Sequence, residues 1–270
     1  MTQRRKWNKK LLLLEIKKRS IQLKRKPSKR ECSSIYATTR KYFGTWNNAL
    51  KEAGFEVKKL QKPIIPNKLT PELSYFLGLL VTDGHIAKDK LIGYKILLFT
   101  SYPEEKILIL KLIRYLFDYN ASIRIKKYGF NKNPNYEIYI SSRKLAGYIS
   151  KKFQIPIGAK SSIIRVPQIL FNTTHQNISS FIRGVIDGDG TISSESKCVR
   201  IASGSINFLN DIKRLLSIIE ISSGNIIKDK SRNTWILYIS TTENLRRLRN
   251  QLYNGVNLFY PRKMASWKDI

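Results

Sequence analysis

In FIRGVIDGDGTISSES (residues 181–196) an apolar run ends abruptly in Asp-Gly-Asp-Gly. Two acids among glycines invite a calcium-loop reading, which needs oxygen ligands at positions 1, 3, 5, 7, 9 and 12 around a glycine at 6. With Gly190 at position 6, Asp187 and Asp189 fall at 3 and 5, but Val185 stands at 1 and Ser196 at 12. Both ends of the cage are missing. The run reads instead as the end of an apolar helix that delivers a carboxylate to something else.

The same pattern occurs earlier in the chain. SYFLGLLVTDGHI (74–86) and SFIRGVIDGDGTI (180–192) superimpose at an offset of 106 residues, sharing an aromatic-apolar start, a Gly five residues before an Asp, and the following Gly. Further on, YEIYISSRKLAGYI (136–149) is echoed by WILYISTTENLRRL (235–248), each a strand followed by a basic helix. Each copy closes on a lysine-bearing segment, IPIGAKSSIIRVP (155–167) and LFYPRKMASWKD (258–269). The motif Asp precedes that Lys by 77 residues in the first copy and 74 in the second. So long a period is no solenoid repeat; it fits two copies of a compact α+β unit, expected at 63–171 and 172–270. Within each, helix, two strands, helix, two strands and helix are predicted. Strands are located at YKILLFTS, SIRIKKYG and YEIYISS in the first copy, and at VRIASG, GNIIKDK and WILYIST in the second. Alternation in SIRIKKY and YEIYISS predicts one apolar face under helices and one basic face outward.

Composition sets the partner. The 270 residues are 42% hydrophobic, enough for a packed core, yet 50 Lys+Arg against 19 Asp+Glu leave a net charge of +31. Such self-repulsion points to a polyanion, and nucleic acid is the default. No apolar run is long enough to span a bilayer, and the start, MTQRRKWNKKLLLLEIKKRS, is no signal peptide, so an intracellular protein without membrane contact is expected. Two cysteines without CxxC spacing and two histidines argue against zinc and a disulfide framework. Residues 1–62 hold 19 Lys+Arg and 4 Asp+Glu in three short helical stretches, broken by Pro27, Gly44 and Gly54. Aromatic residues interleaved with the charges predict a small folded DNA-contacting module, followed by a proline-rich linker near 59–69.

Gly78 and Gly184 sit inside apolar helices, where glycine costs about 1 kcal/mol. Close approach of the two equivalent helices would repay that cost. Asp83 and Asp189 then emerge side by side, with Gly84 and Gly190 turning the chain out of each helix. An acid at a helix C-terminus opposes the macrodipole, and that penalty, accepted twice, favours a role. Two carboxylates at the bottom of a basic groove repel unless a divalent cation lies between them. All-oxygen ligands, including the carbonyl regions of Gly84 and Gly190, select a hard ion such as Mg²⁺. Mn²⁺ is expected to substitute, and Ca²⁺ to support binding without cleavage. Metal, phosphate and a basic groove together mean phosphodiester hydrolysis. The outward DNA-contacting residues are expected to be Arg124, Lys126 and Tyr128 in the first copy and Lys197, Arg200, Lys228, Lys230 and Arg232 in the second.

IRGVIDGDG (182–190) resembles the motif that names the LAGLIDADG homing endonucleases, with Gly184, Ile186, Asp187, Asp189 and Gly190 identical; FLGLLVTDG (76–84) resembles a divergent first copy with Val81 in place of the first acid. The resemblance to the monomeric, two-motif members implies αββαββα halves with saddle-shaped antiparallel sheets in the DNA major groove. It also implies cleavage of both strands with 3′ overhangs, Asp83 and Asp189 as the metal-binding acids, and a basic residue at each centre, by position Lys160 and Lys263. FGTWNNALKEAGFEV (43–57), with KPSKRE and Trp7 before it, resembles the homing-endonuclease-associated repeat. Splice-junction residues are not seen at the ends, so a free-standing or intron-encoded monomer is expected rather than an intein. An RNA-splicing maturase that meets intron RNA, or a non-cleaving DNA-binding regulator, would use the same faces. Two retained acids favour the nuclease.

Overall fold

A computed structural model of the chain describes residues 6–57, 61–89, 93–126 and 134–268. Two units form, Met1–Leu60 and Gln61–Ile270.

In the first, Asn8 and Thr45 cap α1 (Lys9–Leu23) and α3 (Trp46–Glu52) by accepting from Leu11 N and Asn48 N; α2 spans Ser33–Phe43. Leu12, Ile16, Ile35, Phe43, Ala49 and Leu50 make a small core of their own. The loop before α2 is held by Glu31, which takes Arg25 and the Ser28 N–H.

The second unit repeats one sequence of elements. The first half runs α4 (Pro71–Val81), β1 (Gly84–Asp89), β2 (Gly93–Thr100), α5 (Pro103–Phe117), β3 (Ser122–Lys126), β4 (Asn135–Ser141) and α6 (Arg143–Phe153). The second half runs α7 (His175–Asp189), β5 (Gly190–Ser193), β6 (Cys198–Ser203), α8 (Ile206–Ile218), β7 (Ile226–Asp229), β8 (Thr234–Ile239) and α9 (Thr242–Tyr253), and α10 (Pro261–Ala265) closes the chain. Both sheets are antiparallel, with orders β1-β2-β4-β3 and β5-β6-β8-β7. This is the α+β architecture expected. The strands β1 and β5 were not located from sequence, because GHIAKD and GTIS are short and carry too few apolar residues for an alternation to stand out.

Thr70 and Thr174 open α4 and α7 by accepting from Leu73 N and Asn177 N. Every residue of α4 from Leu73 to Val81 is buried, as is α7 from Asn177 to Asp187. α4 is apolar nearly all round and must be enclosed, whereas α7 buries Arg183 and Asp187 among its apolar residues, and the two helices pack against each other in the common core. A methyl built on Gly78 would stand 2.4 Å from the Phe181 carbonyl oxygen; one on Gly184 would stand 2.4 Å from that of Tyr75. The two Cα atoms therefore meet where no side chain fits.

The halves are also cross-tied. Arg165, in the tail of the first half, makes a bidentate pair with buried Asp211 of α8 at 2.7 and 2.9 Å. Arg262, on α10, donates from Nε to buried Glu105 of α5 at 2.6 Å. Each tail thus fastens onto a helix of the opposite half.

One expectation about the sheet fails. Ile123 and Ile125 alternate onto the helix side, opposite Ile138 and Tyr136, but are 42% and 62% exposed. β3 is an edge strand that reaches beyond its helical cover, so parity fixes its face without burying it.

Candidate functional site

The two core helices end differently. α7 runs through Asp189, whereas α4 stops at Val81 and Asp83 lies in the turn that follows. Thr82 closes that turn by donating to the Gly78 and Leu79 carbonyls at 2.9 and 3.2 Å. Nor are Gly84 and Gly190 left-handed caps: neither has positive φ, and Gly190 is extended at φ −71°, ψ 148°. They are glycines for want of room. A methyl at 84 would meet the Leu97 carbonyl oxygen at 2.6 Å, and one at 190 would meet the Ile186 carbonyl oxygen at 2.6 Å.

Asp83 crosses to the other helix. A methyl on Gly188 would lie 3.3 Å from its Oδ2 and 2.1 Å from Thr82 Oγ1. The first acid therefore rests against α7 one residue before the second. Burial, and then the like charge of Asp189, push the Asp83 carboxyl up to about 7. Asp189 is exposed, yet crowding around its carboxyl still pushes it up, against the pull of Lys160 and Lys263.

Both lysines close on this floor. Lys160 Nζ donates to the Val81 and Thr82 carbonyls, at 2.5 and 3.0 Å, and burial lowers its ammonium. Lys263 donates to the Gly190 carbonyl; burial, then neighbouring Arg262, bring it down to about 8. Each cation thus holds backbone carbonyls beside one of the acids.

Asp187, the other acid of the opening run, does a different job. It is wholly buried and accepts from Tyr75 OH at 2.7 Å, Tyr253 OH at 2.8 Å and Tyr260 N at 2.8 Å. Burial raises it to about 6, while those three bonds pull the other way. Beside it Arg183 spends its donors on the Leu252 and Leu258 carbonyls and Ser180. This cluster ties α7 to α4, α9 and the α10 segment, and faces no solvent.

The sheets turn their other faces outward. In the first half Arg124 and Lys126 stand there as expected, paired to Glu137 at 3.3 and 2.7 Å, and both Arg124 and Lys95 lie over the Tyr139 ring. Tyr128 lies outside the described residues. In the second half Arg200 shares the outward face with Tyr238, and exposed Lys197, Lys230 and Arg232 occupy the turns at the strand ends. Lys228 is the exception. It alternates onto the helix side opposite Trp235, 5.6 Å from that ring, because Ile226 two residues earlier pairs with buried Leu237.

Sequence reasoning missed Arg262 and Glu105. With Asp83 and Gly188 they line a cavity of about 210 Å³. Glu105 carried only the signal of an acid in a helix's first turn, and Arg262 was one cation among many.

Residues 176–253 match the family described as LAGLIDADG-like domain, and residues 7–56 match the homing endonuclease associated repeat. Among curated proteins, the DNA-directed RNA polymerase subunit Rpo1C of Methanocaldococcus jannaschii is 28% identical over 185 residues, covering 67% of this chain and 19% of that one. A DNA polymerase of Thermococcus sp. strain GE8 is 28% identical over 216 residues, covering 74% of this chain and 12% of that one. The chain thus spans less than a fifth of the length of either relative. Among solved structures, I-DmoI in complex with DNA and Ca superimposes with a TM-score of 0.56 at 21% identity, over 72% of this chain and 96% of that one. The fold resembles that of I-DmoI. Among the described residues, no helix is long and apolar enough to cross a membrane.

Proposed function

We propose that this chain is a site-specific double-strand DNA endonuclease of the homing type, a monomer whose two halves share one metal-dependent cleavage site. The observation that carries this reading is the meeting of Asp83 with the end of α7, where Gly188 leaves room for its carboxylate next to Asp189. Desolvation raises both acids, and the like charge of Asp189 raises Asp83 further, so a bound divalent cation would relieve the repulsion between them. Their carboxylate oxygens suit a hard divalent ion, and Mg²⁺ is the ion we assign; the Gly190 carbonyl, already taken by Lys263, does not join them. When bound, such an ion supplies charge neutralisation at the phosphate and activation of water.

The chain's own residues do the rest. The Gly78–Gly184 contact fixes the spacing of the acids, and Lys160 and Lys263 place positive charge against them. The outward residues of both sheets neutralise backbone phosphates and read base edges. Water attacks phosphorus and the bond to the 3′ oxygen breaks, leaving a 3′-hydroxyl and a 5′-phosphate on each strand, staggered as 3′ overhangs. The I-DmoI structures with DNA and either Ca or Mn support this assignment. The names of the curated relatives share no single activity, and none is carried over.

The test begins with a duplex recovered from a randomised pool by the wild-type chain. Asp83→Asn and Asp189→Asn should each abolish cleavage in Mg²⁺ while binding in Ca²⁺ persists. Undiminished cutting by the double variant sinks the site. A wild-type chain that binds its duplex and never cuts it would favour the regulator or maturase reading.

A further inference from the structure

The two cleavage centres are not equivalent, and Arg262 is the difference. The strand register aligns Gly84–Leu98 of one sheet with Gly190–Ile201 of the other, so Thr100 corresponds to Ser203, Tyr102 to Ser205 and Glu105 to Phe208. The lysines align as well, which sets Arg262, just before Lys263, opposite Ala159, just before Lys160. On the Asp83 side these residues form a fixture. Glu105, 1% exposed, takes Thr100 Oγ1 at 2.5 Å and Arg262 Nε at 2.6 Å. The guanidinium lies over the Tyr102 ring, 4.7 Å from its centre. Beside Asp189 the corresponding residues, Ser203, Ser205, Phe208 and Ala159, can neither anchor nor supply such a cation.

Arg262 is held, but not used up. Its side chain is 34% exposed, and among the described residues its one side-chain hydrogen bond is through Nε. The two terminal nitrogens remain for an oxyanion. The cavity it lines also receives Asp83, so the free nitrogens lie beside the first acid. A rigid fork clamped by a buried carboxylate and stacked on an aromatic ring is the form in which arginine recognises phosphate.

We propose that Arg262 binds a non-bridging oxygen of the phosphate cut at the Asp83 centre, and that, lacking a counterpart at the Asp189 centre, it makes the two strands break at different rates in a fixed order. This rests on the nuclease reading above. Arg262 stabilises charge on the phosphate while water adds and the 3′ oxygen leaves; it exchanges no proton.

The experiment uses the full chain and a duplex from the randomised pool, labelled on each strand in turn, in Mg²⁺ and in Mn²⁺. Wild type should cut one strand ahead of the other. Arg262→Ala should slow one strand by about 100-fold, the scale of losing one preorganised donor to a developing oxyanion, and leave the other nearly unchanged. Arg262→Lys, which keeps a charge without the fork, should slow the same strand by less. Glu105→Gln, which loosens the clamp, should also act on that strand alone. Equal slowing of both strands would mark Arg262 as structural and overturn the proposal, as would no change in either. Wild-type protein that binds the duplex but cuts neither strand overturns the nuclease reading first, a result distinct from a wrongly assigned arginine.

Discussion

Gly184→Ala is the sharpest probe of the interface on which the site depends. The added methyl would sit 2.4 Å from the Tyr75 carbonyl oxygen, 3.0 Å from Gly78 Cα and 3.1 Å from Leu79 N. All three obstacles are backbone, so no side-chain rotation relieves them, and α4 and α7 must part by roughly 1 Å to restore ordinary contact. Overpacking of this kind costs about 1–3 kcal/mol, and more where backbone must move. Alanine's better helix propensity returns about 1 kcal/mol. A net loss of about 1–2 kcal/mol is expected, and for a unit of this size it should lower Tm by roughly 2–8 °C. Gly147→Ala is the control. It lies on the exposed face of α6, where an added methyl meets nothing within 4 Å, so it should be neutral or stabilising. Thermal unfolding of the two variants, with cleavage measured on the same samples, separates the effects. Parting the helices also parts Asp83 from Asp189, so Gly184→Ala should lose cleavage well below its melting temperature. An unchanged Tm together with full cleavage would refute the reasoning.

Three further outcomes are expected. Asp187→Ala strands two tyrosine hydroxyls, the Tyr260 N–H and the neighbouring buried Arg183; a loss of about 3–5 kcal/mol should appear in denaturant unfolding, and a loss below about 1 kcal/mol would contradict the network. Asp83 titrates near 7 folded against 3.8 for the free side chain, so the folded state keeps a proton that the unfolded chain releases, and this group's stabilisation is present below about pH 4 and lost as pH rises through 7. In chelator, the advantage of Asp83→Asn over wild type should therefore grow between pH 4 and 7, by up to about 4 kcal/mol, and then level; an advantage that stays flat with pH rejects the shift. Deleting residues 1–60 should weaken DNA binding and flatten its dependence on salt, since each phosphate contact adds nearly one to the slope, and an unaltered slope removes that unit from the DNA.

What was legible in the sequence was whatever repeats. Gly78 and Gly184, Asp83 and Asp189, and Lys160 and Lys263 are pairs, and a pair at matched spacing stands out even in a lysine-rich chain. The three N-terminal helices were legible through their breaks at Pro27, Gly44 and Gly54. What breaks the repeat was not legible. Arg262 has no twin, and its role depends on Glu105, 157 residues away, which no local pattern joins to it. The exposure of Ile125 and the helix-side placement of Lys228 depend on where the helical cover stops and on register, and alternation alone sets neither. The purpose of Gly84 and Gly190 was misread for a related reason: a turn is a local property, while the crowding that excludes a side chain there arises from packing.

The crossed clasps, Arg165 on Asp211 and Arg262 on Glu105, bear on how such a chain can change. Because each tail carries the cation and the opposite half carries the acid, neither half is an interchangeable module. A chimaera that takes residues 172–270 from a relative would bring a foreign partner for Arg165 and remove the native one from Glu105. That would leave a buried carboxylate without its cation unless both pairs travel together. Recombination between such chains is therefore filtered by two charge pairs, one of which also lines the cavity beside Asp83, and inheritance of the halves is coupled through their ends.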